Sequence, residues 1–175
     1  MEVFVKRIVI VGGGTAGWMT AAAISSLLPE KEFSVTLVES EAIGIIGVGE
    51  ATLPHIRHFN ETIGIDEAEF MAATSATFKL GLEFVNWARI DDAYIHPFGA
   101  FGPAGGKVAF HHYWRKFADD REIGPIGDYS LPIVAAYTAK FAMPDEDSSS
   151  VLSTYGYAYQ FDATQYAPFL RRHAE

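Results

Sequence analysis

The sequence predicts an α/β fold that opens on a Rossmann-like dinucleotide-binding unit, and three observations carry that expectation. A short apolar run, residues 8–11, leads straight into Gly12-Gly13-Gly14-Thr15-Ala16-Gly17, a match to G-x-G-x-x-G. An uncharged stretch, residues 15–28, then reads as a helix that Pro29 brings to an end. A second alternating run, residues 33–39, closes on Glu39. That acid lies about 20 residues beyond the last glycine, where units of this kind hold a ribose hydroxyl.

Each position in the turn has its own reason. Gly12 allows the sharp strand-to-helix turn, Gly14 lets a pyrophosphate approach the backbone, and Gly17 lets the helix pack close to the strand. Thr15 and Ala16 begin the helix, whose unpaired N–H groups and positive dipole end suit phosphate. Glu39 would repel a 2′-phosphate, which argues against NADP. A glycine-rich turn in an ordinary βαβ unit is the plain alternative; strand, turn, helix and acid together favour dinucleotide binding.

Composition narrows the function classes. A formal net charge of −9 argues against a nucleic-acid partner, which needs a basic surface. With no cysteine there is no disulfide, no thiolate catalysis and no Cys-based metal site, which fits a reducing cytoplasm. Residues 8–28 carry no charge and follow Lys6-Arg7, imitating a membrane or export segment. Three consecutive glycines interrupt the run, and Thr15, Thr20, Ser25 and Ser26 are scattered through it, so no membrane segment is expected.

The remaining elements follow in order. Residues 41–52 form a glycine-rich loop, including Gly47, Val48, Gly49, Glu50, Ala51 and Thr52, that suits close approach to something bulky. A helix is expected next, capped by Thr52 and ended by Gly64, then a short one with Asp66 and Glu69 as a capping box. Residues 77–87 alternate as a strand with Phe78, Leu80, Leu82 and Phe84 on one face and Lys79 on the other. Residues 93–98 are its hairpin partner across a turn at Asp91-Asp92.

Helices are expected over 108–117 and 130–143, the first carrying Phe110, Tyr113, Trp114 and Phe117 as core or interface residues. Residues 144–150 form an acidic, serine-rich loop suited to local disorder, and 155–161 a return strand. Asp162 with Gln165 caps a last helix. The histidines at 55, 58, 111 and 112 lack the partners of a metal site, and no metal is expected. One βαβ start without further parallel strands makes the sequence read as truncated.

Several of these segments together resemble the flavin-dependent tryptophan halogenases. The resemblance rests on Gly12 to Gly17 followed by Trp18, on G-V-G-E-A-T at 47–52, on F-K-L-G at 78–81 with Trp87, and on Y-A-Y-Q-F-D at 157–162 with Phe169-Leu170. It covers the N-terminal part of such an enzyme: one FAD-binding halogenase domain of the GR2 flavoprotein type over 1–175. Its parts would be a βαβ start at 4–40, a flavin-adjacent loop at 41–52, an inserted antiparallel and helical substrate-side region at 53–150, and a return strand and helix at 151–175.

The resemblance implies FAD used as FADH2 and supplied by a separate flavin reductase, with O2 and a halide giving hypohalous acid. That acid would reach a small aromatic substrate, tryptophan or a similar indole, at Lys79. Residues Gly47, Val48, Gly49, Glu50, Ala51 and Thr52 would run beside the flavin, and His96 and Phe98 would stack on the substrate. The family's W-x-W-x-I-P signature has no counterpart here, the only tryptophans being Trp18, Trp87 and Trp114. A homodimer stays open, as do two alternatives: a related FAD-dependent aromatic monooxygenase, or an inactive truncated nucleotide-binding fragment.

Overall fold

The computed structural model describes residues 6–40, 42–44, 49–103, 105–118 and 122–175. In the loop beside the expected flavin site, Gly47 and Val48 fall outside them, as do Asp119 and Asp120. The described chain divides into two compact units, Met1–Thr77 with Tyr159–Glu175, and Phe78–Ala158.

In the first unit, β1 (Lys6–Val11), α1 (Thr15–Leu27) and β2 (Phe33–Val38) form the expected βαβ start of an α/β fold. The two strands pair in parallel with Val9 opposite Thr36. Ile8, Ile10, Val35 and Leu37 are half-buried, whereas Val9, Val11 and Val38 are exposed, Val11 at 83%. The apolar run, which by its composition reads as a buried strand, thus has one covered face among the described residues. Strands of parallel sheets are apolar on both faces, so the run alone does not say which face is covered.

The chain continues through β3 (Gly49–Ala51), α2 (His55–Thr62) and α3 (Glu67–Thr74). Thr52 does not cap α2, which begins after Pro54. Its hydroxyl instead donates to the Tyr159 carbonyl at 2.8 Å and accepts from the Tyr159 amide at 3.1 Å. Asp66 caps α3 as expected, accepting from the Glu69 amide at 2.9 Å. Phe70, fully buried, is the hub of this unit: the rings of Tyr159, Phe161, Tyr166 and Phe169 surround it edge-on.

The expected strand over 77–87 is two pieces, β4 (Thr77–Lys79) and β5 (Gly81–Val85), broken at Leu80. The break changes the alternation, so that Lys79 and Leu80 are both buried. In the second unit β5 pairs antiparallel with β6 (Ala93–Pro97), placing His96 opposite Leu82. Gly81 is required there, because a Cβ would stand 2.6 Å from the His96 carbonyl oxygen.

Next come α4 (Phe110–Phe117), α5 (Leu131–Tyr137), β7 (Ala158–Asp162) and α6 (Ala163–Ala174). α4 buries none of its residues; Tyr113 and Trp114 instead donate to the Gly105 and Gly124 carbonyls. α5 is shorter than expected because Ala139 adopts φ +51, a left-handed stop. The loop over 144–150 is held in turns by Asp145 and Asp147, which accept from the Asp147 and Ser149 amides. Phe78, Phe141 and Tyr157 form a second ring cluster in this unit, Phe78 stacking on Phe141 at 3.8 Å. Back in the first unit, β3 pairs antiparallel with β7, Glu50 opposite Phe161, and α6 packs along α1.

Candidate functional site

A cleft of about 550 Å3 opens where β1, α1, β2 and α6 meet, lined in part by Gly12, Gly13, Gly14, Trp18, Glu39 and Arg171. That volume is of the size that holds a small-molecule ligand. Gly12 has φ +117, a conformation that glycine adopts without strain. A Cβ on Gly17 would sit 1.9 Å from the Gly12 carbonyl oxygen, so this glycine sets the close helix–strand approach. Nothing lies within 4 Å of a Cβ built on Gly14, which leaves the backbone there open to a ligand. No side chain caps α1, so its first-turn N–H groups stay available to an acceptor.

Gly13 is a contact that the spacing does not reveal. A Cβ there would fall 1.8 Å from Glu39 Oε2, because the Glu39 side chain lies across the turn. Glu39 is itself held from two sides. Trp18 Nε1 donates to its Oε2 at 3.1 Å, and Arg171 Nη1 donates to its Oε1 at 3.1 Å. Arg171 lies over the Trp18 ring, 5.5 Å from ring centre to guanidinium carbon, and its Nε also donates to Glu175 at 2.9 Å. Local spacing does not single out Arg171, which lies 132 residues from Glu39.

A second hollow of about 470 Å3 brings Thr15 together with Glu50, Ala51 and Thr52 on β3 and its continuation, beside Met19, Phe59, Phe161 and Tyr166. Ala16 is exposed in the first turn of α1 and lines neither space. Burial pushes the Tyr166 phenol well above its ordinary pKa, and its hydroxyl donates to Asn60 Oδ1 at 2.8 Å.

In the second unit Lys79 is 6% exposed, where strand alternation alone would put it on the wet face. Its ammonium stands 5.4 Å from the centre of the Phe98 ring, a cation–π distance. Burial lowers its pKa from the ordinary 10.5 by disfavouring the charged form. Phe98 is fixed by its amide, which donates to the Leu80 carbonyl at 2.8 Å. His96 is exposed on β6. Among the described residues, no group of three or more His, Asp or Glu could hold a metal, and no helix is long and apolar enough to cross a membrane.

One unit thus holds a Rossmann-type glycine turn with an acid across it, and the other a buried lysine in F-K-L-G, a combination that defines an α/β protein of the dinucleotide-fold class. A family model described as "Tryptophan halogenase" matches residues 7–175. The chain belongs to the tryptophan halogenase family. A flavin-dependent halogenase from Xanthomonas campestris superposes with a TM-score of 0.86 at 47% identity, over 98% of this chain and 33% of that one. The flavin-dependent halogenase BrvH from Brevundimonas sp. BAL3 gives 0.86 at 40% identity, over 99% and 34%. A tryptophan 6-halogenase of Streptomyces albogriseolus is 34% identical over 190 residues, 99% of this chain and 35% of that protein. The chain therefore spans about a third of the length of these relatives.

Proposed function

We propose that this chain carries the nucleotide-binding and lysine-bearing parts of a flavin-dependent halogenase acting on tryptophan, indole or another electron-rich aromatic. The observation that carries the reading is the burial of Lys79 beside Phe98 in a chain of this family.

The residues of the cleft fit the ADP half of FAD. The Gly12 turn and open Gly14 admit a diphosphate against the start of α1, where Thr15, Ala16 and Gly17 supply backbone N–H groups, and Glu39 accepts from ribose hydroxyls. Gly47, Val48, Gly49, Glu50, Ala51 and Thr52 line the flavin ring in this reading. Reduced FAD, when bound, would supply two electrons and two protons that with O2, a halide ion and one further proton give hypohalous acid and water.

Lys79 then acts on the hypohalous acid. Its ammonium donates a hydrogen bond to the hypohalous oxygen, making the halogen more electrophilic, and its lowered pKa also gives access to the neutral, nucleophilic amine. An aryl carbon takes the halogen, the ring proton leaves, and the oxygen departs as water. His96 and Phe98 stack on the aromatic substrate. The partners in this reading are a separate flavin reductase, O2 and halide, in the cytoplasm.

Lys79→Ala in the natural full-length product tests the assignment, with bromide and tryptophan present and products read by mass spectrometry. Brominated product should fall about a thousandfold, a typical loss for a positioned proton donor, while reduced FAD and O2 are still consumed. Bromination at the wild-type rate would remove Lys79 from the chemistry. A product gaining oxygen and no bromine doublet would favour the related monooxygenase.

A further inference from the structure

We propose that Arg171 and Trp18 form a two-sided clamp that positions Glu39 for the ribose diol and makes the cleft select a ribose without a 2′-phosphate; this rests on the dinucleotide reading of the cleft. Glu39 follows β2, Trp18 lies on α1, and Arg171 lies on α6, 132 residues further along the chain. The three meet because α1 and α6 pack along each other.

A carboxylate at a strand end, with its side chain 30% exposed, has several rotamers in reach. Here each of its oxygens is tied to a donor on a different element. Trp18 is only 7% exposed, so the indole N–H is a fixed point. An ionised carboxylate has about four acceptor positions. Trp18 and Arg171 use one on each oxygen, leaving one on each for the two hydroxyls of a ribose diol.

Charge decides the selectivity. A glutamate alone would set a negative charge beside the diphosphate; the Arg171 contact offsets it. A free arginine at this place is what welcomes a 2′-phosphate in related folds. Arg171 is not free, because its guanidinium is committed to both Glu39 and Glu175. Its planar fork spans these partners while its face rests on Trp18, a combination that lysine cannot reproduce.

The test is titration calorimetry of the chain with ADP, AMP, FAD and adenosine 2′,5′-bisphosphate. Wild type should bind ADP and FAD and bind the bisphosphate at least tenfold more weakly than AMP, which carries the same single 5′-phosphate. Arg171→Ala should weaken ADP and FAD about tenfold. Glu39→Gln should cut the discrimination against the bisphosphate at least tenfold by releasing Arg171, a change that a structural ion pair would not produce. The double variant should bind ADP no worse than the weaker single variant, since both act through one group.

Far-UV circular dichroism accompanies each variant, and Arg171→Lys, expected to lose about threefold, decides the matter if Arg171→Ala does not fold. An arginine variant within twofold of wild type, or losses that multiply in the double variant, would overturn the clamp alone. A folded wild-type chain that binds neither ADP nor FAD would overturn the dinucleotide reading as well.

Discussion

The cleft beside Glu39 and the surroundings of Lys79 are built from different materials. The turn at the cleft is backbone: a left-handed glycine, an open one, one whose Cβ would strike a carbonyl, and an uncapped helix end. The Lys79 site is one charged side chain whose burial depends on a strand break and an aromatic ring 19 positions later (98 − 79). An added Cβ at Gly13 or Gly17 collides with Glu39 or with the Gly12 carbonyl, whereas a side-chain site can lose its chemistry and keep its fold.

The largest effect should separate the two regions cleanly. Gly17→Ala drives a methyl into the Gly12 carbonyl, so it should cost on the order of 3 kcal/mol and abolish ADP binding. Lys79→Ala should leave ADP affinity unchanged. Urea unfolding and calorimetry on both variants check this, and ADP binding by Gly17→Ala at wild-type strength would show that the turn is not the rigid element.

A smaller effect sharpens the contrast from the other side. Lys79→Met keeps the apolar stem and removes a buried charge, so it should stabilise by on the order of 1–2 kcal/mol at pH 7. Because burial lowers the folded-state pKa of Lys79 below the ordinary 10.5, the folded protein holds fewer protons than the unfolded chain as pH climbs toward that value. Wild-type stability from this group therefore rises with pH through that window. The advantage of Lys79→Met should shrink accordingly, and urea midpoints at pH 7 and 10 measure it. A pH-independent advantage would mean that lost packing strain, and not charge burial, explains it. Comparing the two proteins cancels the contribution of Tyr166, which is common to both.

The smallest expected effect belongs to neither site. Asp66→Ala removes the cap of α3 and should cost roughly 0.5–1 kcal/mol, read as a drop in the thermal midpoint, with ADP affinity unaltered. A change in ADP binding would show that the cleft and the Phe70 cluster are coupled through the first unit.

How much was legible follows the same division. The βαβ start, the turn at Gly12, the close approach at Gly17, the Asp66 and Asp162 caps and the β5–β6 hairpin are local, and the chain encodes them within a few residues of each other. Thr52 reads as a cap because a threonine two residues ahead of a proline fits that pattern, whereas its hydroxyl bonds to Tyr159, 107 residues away. The lengths of the 130s helix and of the strand around Lys79 were overestimated because a left-handed Ala139 and a break at Leu80 leave no mark on apolar periodicity.

By itself, the sequence determined the glycine-rich strand-to-helix turn, the acid after β2 and, through F-K-L-G and G-E-A-T, the family, because these depend on residue identity at fixed short spacing. Only the tertiary structure decided that Lys79 is buried, that Gly13 must be bare, and that Arg171 on the last helix holds Glu39. Each of these is a contact between distant segments, set by how α1 meets α6 and how a strand breaks, and burial and hydrogen-bond partners at such range come from packing and not from local pattern.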